Sequence, residues 1–189
     1  AIDEAIAAAR ITENNPNTLR LYRWNPSAVS VGYFQSIMNE VDTKACNDYG
    51  FDVVRRITGG GAVFHDYDGE ITYSLVAPDD DPKIPSDIIT SYRLICNCII
   101  QGLKELGIDS EFKPINDIIA GGKKISGNAQ TRRYGVILQH GTVLVDCDVG
   151  FAQPGLHLHP ADFHVREIKQ HQVVVRAAGH HAHAQAVKS

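Results

Sequence analysis

The 189-residue sequence lacks several features that mark particular classes of protein. No apolar run approaches the about 20 residues that a membrane-spanning helix needs, and no secretory leader opens the chain, so we expect no membrane association and no export. The four cysteines include no paired Cys-x-x-Cys motif, which argues against a zinc ribbon or a dithiol redox centre. Together these absences predict a cytoplasmic protein with reduced, buried thiols.

Positive charge is also scarce, because 18 lysines and arginines face 22 acidic residues and the formal net charge is −4. Residues 1–150 alone carry −6, whereas residues 151–189 carry +2. An acidic chain is poorly suited to neutralising many phosphates, so we expect no nucleic-acid partner. The balance is still compatible with a local cationic pocket.

The composition divides the chain near residue 150. Residues 1–150 have the periodic patterns of a packed domain and are long enough to bury a hydrophobic core. Residues 151–189 hold seven of the nine histidines, and their apolar residues are scattered. We expect this tail to be disordered or non-native. The chain begins at Ala1 without methionine, so we also expect its natural start to be missing.

Hydrophobic patterning in residues 1–150 predicts an α+β fold. Helices are expected at residues 1–10, 39–49 and 86–106, the second beginning at Asn39 and ending before Gly50. Apolar runs and alternating patterns predict strands at residues 18–24, 28–34, 51–56, 62–65, 70–77, 110–113, 117–120 and 136–145. The turn at Asn25-Pro26-Ser27 favours a hairpin between the first two strands. The expected architecture is a mixed, mostly antiparallel β-sheet flanked by helices.

A run of three glycines, Gly59, Gly60 and Gly61, is the first candidate site. Glycine allows a sharp turn and brings backbone amides close to a ligand, and the nearby Arg56 would neutralise an anion held there. Glycines alone would be explained equally well by a tight hairpin connection. The run lacks the ending of a Walker loop. His65 follows it and is interpreted as a pocket-shaping residue.

A second candidate site is the segment of residues 122–127, where Lys123 and Lys124 lie between glycines. A lysine on a short strand can project into a cleft as a point charge, although such a pair is ordinarily a solvated turn. Asp117, just upstream, offers a carboxylate to Mg²⁺ or to the lysine.

Three dibasic pairs occur in the predicted loops, and they would form one anion-binding pocket if the fold brings them together. They are Arg55-Arg56, Lys123-Lys124 and Arg132-Arg133. His140, within an apolar strand, is expected to be a structural histidine with satisfied hydrogen bonds. No spacing of Ser, His and Asp supports a catalytic triad.

Four segments together resemble the biotin/lipoate protein ligase superfamily and, within it, the lipoate–protein ligases. The segments are residues 55–66 (RRITGGGAVFHD), 116–118 (NDI), 123–130 (KKISGNAQ) and 140–142 (HGT). Their order and spacing agree with the family over about residues 1–150. The resemblance implies that ATP and lipoate form lipoyl-adenylate, and that a carrier-domain lysine then attacks the activated carbonyl.

The resemblance also implies roles for individual residues. Lys124 would be the catalytic lysine that contacts both the acyl group and the phosphate, and Asp117 would bind Mg²⁺. The residues that would bind nucleotide and lipoate are Arg56, Gly59, Gly60, Gly61, Ala62, Val63, Phe64, His65, Asp117, Lys124, Gly127 and Ala129. The implied partners are lipoyl carrier domains of 2-oxoacid dehydrogenases or the glycine cleavage system, together with an accessory domain on a separate polypeptide.

Alternatives to the ATP-dependent ligase remain open. An octanoyltransferase of the same superfamily would take its acyl group from a carrier protein, and residues 69–74 (GEITYS) resemble that branch. Some of those enzymes use a cysteine nucleophile shortly before the glycine-lysine-lysine segment, but no cysteine lies between Cys98 and Cys147. The Asn116-Asp117 pair matches the ligases, which are therefore the main expectation. A biotin ligase and a non-catalytic module that binds a lipoyl carrier or an adenylate are further alternatives.

Overall fold

The computed structural model describes residues 2–13 and 16–146. The helices of this part are α1 (Ile2–Glu13), α2 (Ile37–Glu40), α3 (Thr43–Tyr49) and α4 (Ile88–Glu105). Its strands are β1 (Thr18–Tyr22), β2 (Ala28–Val31), β3 (Asp52–Arg55), β4 (Val63–His65), β5 (Glu70–Pro78), β6 (Glu111–Lys113), β7 (Asp117–Ala120), β8 (Lys123–Arg133) and β9 (Val136–Leu144). The predicted α+β fold, with helices flanking mostly antiparallel strands, is confirmed.

The larger sheet has six antiparallel strands in the order β1-β5-β9-β8-β7-β6. On one face, Ile95 of α4 packs into a buried cluster with Tyr73, Ala77 and Ile137. On the other face, Ile6 of α1 packs against Val76, Val136 and Leu138. The sheet is covered on both faces by the apolar stripes of these two helices.

The smaller sheet has three strands in the order β3-β2-β4, with β2 parallel to β3 and antiparallel to β4. The predicted hairpin between the first two strands is wrong, because β1 pairs with β5 in the larger sheet. Burial explains the separation. Strand β2 is buried at every residue, whereas Leu19 and Leu21 of β1 are exposed, so β2 occupies the centre of its own sheet.

The helix predicted at residues 39–49 is two helices. Strand-like backbone at Val41 separates α2 from α3, and Val41 itself is buried in the core of the smaller sheet. Asp42, rather than Asn39, caps α3 by accepting a hydrogen bond from the Ala45 amide. The predicted end at Gly50 is confirmed, since Gly50 has a left-handed φ of 71°.

The cysteines are free in the described part, but they are not all buried as expected. Cys46 and Cys96 are buried, whereas Cys98 lies exposed on α4. No helix within the described residues is long and apolar enough to cross a membrane. The histidine-rich tail of residues 151–189 lies outside the described residues, so its expected disorder and the domain boundary near residue 150 stay predictions.

Candidate active site

The glycine loop, residues 58–61, leaves β3 and packs directly on the end of β2. A Cβ atom on Gly32 would lie 2.0 Å from the carbonyl oxygen of Gly60, and Gly60 has a φ of 100°. The Tyr33 amide also donates a 2.9 Å hydrogen bond to the Thr58 carbonyl. Glycine is therefore required at both crossing positions, one for space and the other for conformation.

Arg56 fixes the glycine loop to β2. Its Nη1 donates to the carbonyl and the hydroxyl of Ser30, at 3.0 and 3.1 Å. Its Nη2 donates to the carbonyls of Gly59 and Gly61, at 3.0 and 2.6 Å. Because the guanidinium holds the loop carbonyls, the loop geometry is set by the protein itself.

Gly60 and Gly61 of the glycine loop are exposed. Within the described residues, the amides of Gly60 and Gly61 donate to no main-chain carbonyl of a turn or loop. Adjacent amides held in a fixed turn form a concavity that suits an anion. The loop is thus a preformed candidate for the phosphate or carbonyl oxygen of an acyl donor.

The predicted lysine–carboxylate pair is present on neighbouring strands. Lys124 of β8 lies with its Nζ 2.7 Å from Oδ1 of Asp117 on β7, and the lysine side chain is 46% exposed. A register shift between Ile118 and Ile119 changes the pairing of these strands beside it. A Cβ on Gly127 would lie 3.0 Å from Lys124 Cε, so the bare backbone of Gly127 leaves room for the ammonium group.

A network of buried hydrogen bonds holds Asn116, the residue before Asp117. The Gln139 amide donates to the Tyr73 hydroxyl at 2.9 Å, and Tyr73 donates to Oδ1 of Asn128 at 2.5 Å. Asn128 in turn donates to the carbonyl of Asn116 at 2.8 Å, while the Asn116 amide donates back to the Asn128 carbonyl. The residue before Asp117 is therefore held from the core.

Strand β9 connects the two halves of the candidate site. Thr58, which begins the glycine loop, lies 2.6 Å from Nε2 of His140, and His140 is opposite Ala129 of β8 in the sheet register. Burial, aided by the nearby Arg56 charge, lowers the pKa of His140 to about 4, so its ring is neutral near pH 7. His140 is the structural histidine that the sequence predicts.

The remaining predicted site residues differ in their surroundings. Ala62 and Phe64 pack against the core of the smaller sheet, so their side chains belong to that core. Val63 is partly exposed on β4. Among the predicted dibasic pairs, Arg55 donates to the carbonyls of Gly32, Tyr33 and Gln35, and Arg132 donates to Pro85. Neighbouring carbonyls therefore bind Arg55 and Arg132, as they bind Arg56, and a single pocket formed by the three pairs stays a prediction.

No group of three or more His, Cys, Asp or Glu side chains suited to a metal occurs among residues 2–13 and 16–146. Asp117 supplies one carboxylate, already paired with Lys124. A single carboxylate suits Mg²⁺ when substrate phosphates and waters complete its octahedral shell. The donor set therefore fits a magnesium ion that arrives with a nucleotide, and not one held by the protein alone.

Three residues that sequence spacing did not connect lie in a row beneath the glycine loop. Ser30 Oγ is 2.8 Å from His65 Nε2, and His65 Nδ1 is 2.8 Å from Glu70 Oε1. Trp24 stacks on the His65 ring with centroids 4.3 Å apart. The arrangement resembles a serine–histidine–carboxylate triad, but Ser30 is only 1% exposed and cannot be reached by a substrate.

The family model that describes the lipoyl protein ligase A/B catalytic domain matches residues 1–177. This chain belongs to that family. The octanoyltransferase LipM of Kyrpidia tusciae is 41% identical over an alignment covering 78% of this chain and 61% of the relative. LipM of Bacillus subtilis is 37% identical, with the same shares covered. The chain thus spans about 61% of the length of these curated relatives.

Solved structures of the same superfamily share this fold. A bipartite lipoate protein ligase from Thermoplasma acidophilum has a TM-score of 0.73 and 34% identity, covering 85% of this chain and 61% of that chain. Lipoate-protein ligase A bound with ATP has a TM-score of 0.72 and 33% identity, covering 88% and 72%. The comparisons therefore include both branches of the superfamily: the curated relatives are named as octanoyltransferases, and the solved neighbours as ligases.

Proposed function

We propose that this chain is the catalytic core of an enzyme that joins an octanoyl or lipoyl group to a lysine of a lipoyl carrier domain. The observation that carries the proposal is the half-exposed Lys124 ammonium, 2.7 Å from Asp117 and seated over Gly127, within the domain that the family model matches. The choice of acyl group and carrier in this proposal follows the family and the names of its relatives.

In this reaction the neutral amine of the carrier lysine attacks the carbonyl carbon of the activated acyl group. The carbonyl electron pair moves to oxygen and then returns to re-form the carbonyl, while the leaving group departs with the electrons of its bond to carbon. The attacking nitrogen loses one proton, which passes to the leaving group or to water. Lys124 and the amides of the glycine loop are the groups that would stabilise the developing negative charge. The side chain of Asp117 would orient Lys124 toward that oxygen.

The first candidate donor is an octanoyl thioester of a carrier protein, with a thiolate as leaving group. Both curated relatives described above are octanoyltransferases, and Glu70 begins a strand whose sequence resembles that branch. Neither buried thiol of the described part suits a covalent relay. Burial raises the pKa of Cys46, and it raises that of Cys96 to about 12, which disfavours the thiolate that a covalent relay needs.

A second candidate donor is lipoyl-adenylate made from lipoate and ATP, as in the ligases. The specific observation in its favour is the Asn116-Asp117 pair, which the buried amide of Asn128 holds beside Lys124 in place of a cysteine. Mg²⁺ bound through Asp117 and the phosphates would neutralise charge on the leaving pyrophosphate. An accessory-domain polypeptide would then be a further partner of this reaction.

Intact-mass measurement of a lipoyl carrier domain separates the two donors. The 189-residue chain is incubated with the carrier and either octanoyl-carrier protein without nucleotide or lipoate with ATP and Mg²⁺. Octanoylation without nucleotide supports the transferase, whereas modification that requires ATP supports the ligase. Lys124→Ala and a carrier whose lysine is replaced by arginine are the controls. A carrier that stays unmodified under both conditions, with and without an accessory-domain polypeptide, contradicts the proposal.

A further inference from the structure

A buried row of polar groups ends at Arg56 and takes no direct part in the proposed reaction. It runs from Glu70 through His65 to Ser30, whose Oγ lies 3.1 Å from Nη1 of Arg56. At the other end, the Thr72 hydroxyl donates to Glu70 at 2.7 Å. The row joins the first residues of β5 to the arginine that holds the glycine loop.

Donor and acceptor chemistry gives the row one direction. The guanidinium can only donate, so Ser30 Oγ accepts from Arg56 and has its own proton left to donate. His65 Nε2, 2.8 Å away, accepts that proton when the ring proton is on Nδ1, the nitrogen that faces the Glu70 carboxylate. Every hydrogen bond from Glu70 to Arg56 is then satisfied by one arrangement of protons.

Burying these polar groups destabilises the fold, so their presence suggests that they have a function. Ser30, Glu70 and His65 are 1%, 2% and 4% exposed, and Oε2 of Glu70 has no hydrogen-bond partner among residues 2–13 and 16–146. Burying a carboxylate with an unsatisfied oxygen costs free energy that apolar residues of the same volume would not cost. Ser30 is inaccessible to a substrate, which excludes nucleophilic chemistry, and its contact with Arg56 is the one that leads from the row to the glycine loop.

We propose that His65 and Glu70 are positioning residues that act through Ser30 on Arg56. They hold the Ser30 hydroxyl as an acceptor for Nη1, which keeps Nη2 on the carbonyls of Gly59 and Gly61 and so keeps the glycine loop in place. The proposal that this row orders the glycine loop depends only on the hydrogen bonds described above and not on the proposed function. Its consequence for binding an acyl donor rests on the proposed function.

Two substitutions of His65 distinguish its contact with Glu70, made by Nδ1, from its contact with Ser30, made by Nε2. Asparagine places an amide donor near the Nδ1 position and keeps the Glu70 contact, but it loses the acceptor for Ser30. Glutamine extends to the Nε2 position and offers Ser30 an acceptor. The Tyr33 amide donates to the Thr58 carbonyl, so its hydrogen exchange measures how firmly the loop is held and is used here as the loop exchange. We expect this exchange to be about ten-fold faster for His65→Asn and near wild type for His65→Gln.

Ser30→Ala provides a second route to the same contrast, because it removes the hydroxyl while nearly preserving the volume at the centre of β2. We expect it to reproduce the faster loop exchange of His65→Asn, with unchanged exchange in α4 as the internal reference. Equal exchange in the two His65 variants, or a Ser30→Ala loop that exchanges like wild type, overturns the positioning role. Both results are readable without any enzymatic activity.

Steady-state kinetics test the consequence for the reaction. With the donor that proves active, we expect His65→Asn and Ser30→Ala to raise KM for the donor more than they lower kcat, and His65→Gln to restore KM. Faster loop exchange with an unchanged KM would retain the ordering role and reject the link to donor binding. If the wild-type chain is inactive with both donors, the proposed function fails while the exchange result still decides the positioning role.

Discussion

The two halves of the candidate site are built in opposite ways. The glycine-loop half is locked, because Gly32 and Gly60 touch and the Arg56 guanidinium donates to three backbone carbonyls. The half formed by β7 and β8 is open, because Lys124 is half exposed and, within the described part of the chain, pairs with the single carboxylate of Asp117. The difference indicates that the loop provides a fixed surface, whereas Lys124 is the group free to follow the reacting oxygen.

The largest effect is expected where the locked half is broken. In Gly32→Ala the new methyl group would lie 2.0 Å from the Gly60 carbonyl oxygen, so the loop must leave β2. We expect a loss of more than about 4 kcal/mol in the free energy of unfolding. Gly102→Ala is the matched control, because it lies in α4 with no atom within 4 Å of the added carbon. Chemical denaturation should show it to be neutral or slightly stabilising. A Gly32→Ala protein as stable as this control would contradict the locked loop.

The open half should respond in the opposite sense, through activity and not through stability. We expect Lys124→Ala to lower kcat about 10² to 10³-fold, since it removes the only side-chain cation assigned to the oxyanion. The free energy of unfolding should change by less than about 1 kcal/mol, because the ion pair with Asp117 is partly exposed. Single-turnover acylation and thermal unfolding of one preparation measure both quantities. A large loss of stability would show that the open half is structural.

A third substitution tests whether the open half depends on the core behind it. Tyr73→Phe leaves Oδ1 of Asn128 without its buried donor and Nε2 of Gln139 without its acceptor. We expect it to cost about 2 kcal/mol of stability and to lower kcat modestly, through displacement of Asn116 and Asp117. Tyr134→Phe is the control, because that side chain is 84% exposed. Denaturation profiles that coincide for the two variants would show that the network does not hold the site.

Sequence patterns predicted the fold class and the Lys124–Asp117 pair for a physical reason. Both depend on short segments, and Asp117 reaches Lys124 through a single antiparallel connection between β7 and β8. The hairpin prediction failed because it used the turn at Pro26 and ignored burial. A strand buried at every position, like β2, needs neighbours on both edges and cover on both faces.

The row beneath the glycine loop shows where sequence reasoning stops. Ser30 and His65 are 35 residues apart and meet because β2 pairs with β4, while Glu70 follows His65 by five residues through a turn into the other sheet. The contacts of Arg56 with Ser30, 26 residues away in the sequence, could not be predicted either, because they depend on how β2 and β3 pair. Ser30 and His65 are single polar residues within otherwise apolar strands, and this was the sequence signal that could have pointed to the row.

The smallest expected effect concerns His140, which joins the two halves through Thr58. Its pKa is lowered to about 4 in the folded protein from a model-peptide value of 6.5, so the unfolded chain binds a proton first as the pH falls. Stability from the neutral ring is complete above pH 6.5, declines between pH 6.5 and 4, and changes no further below pH 4. Between pH 6.5 and 5 the loss should be on the order of 1 to 2 kcal/mol. Urea denaturation at these two pH values measures the difference for wild type and for His140→Gln, whose side chain does not titrate. A slope that is the same in both proteins would mean that His140 is not the neutral contact between the locked loop and the open strands.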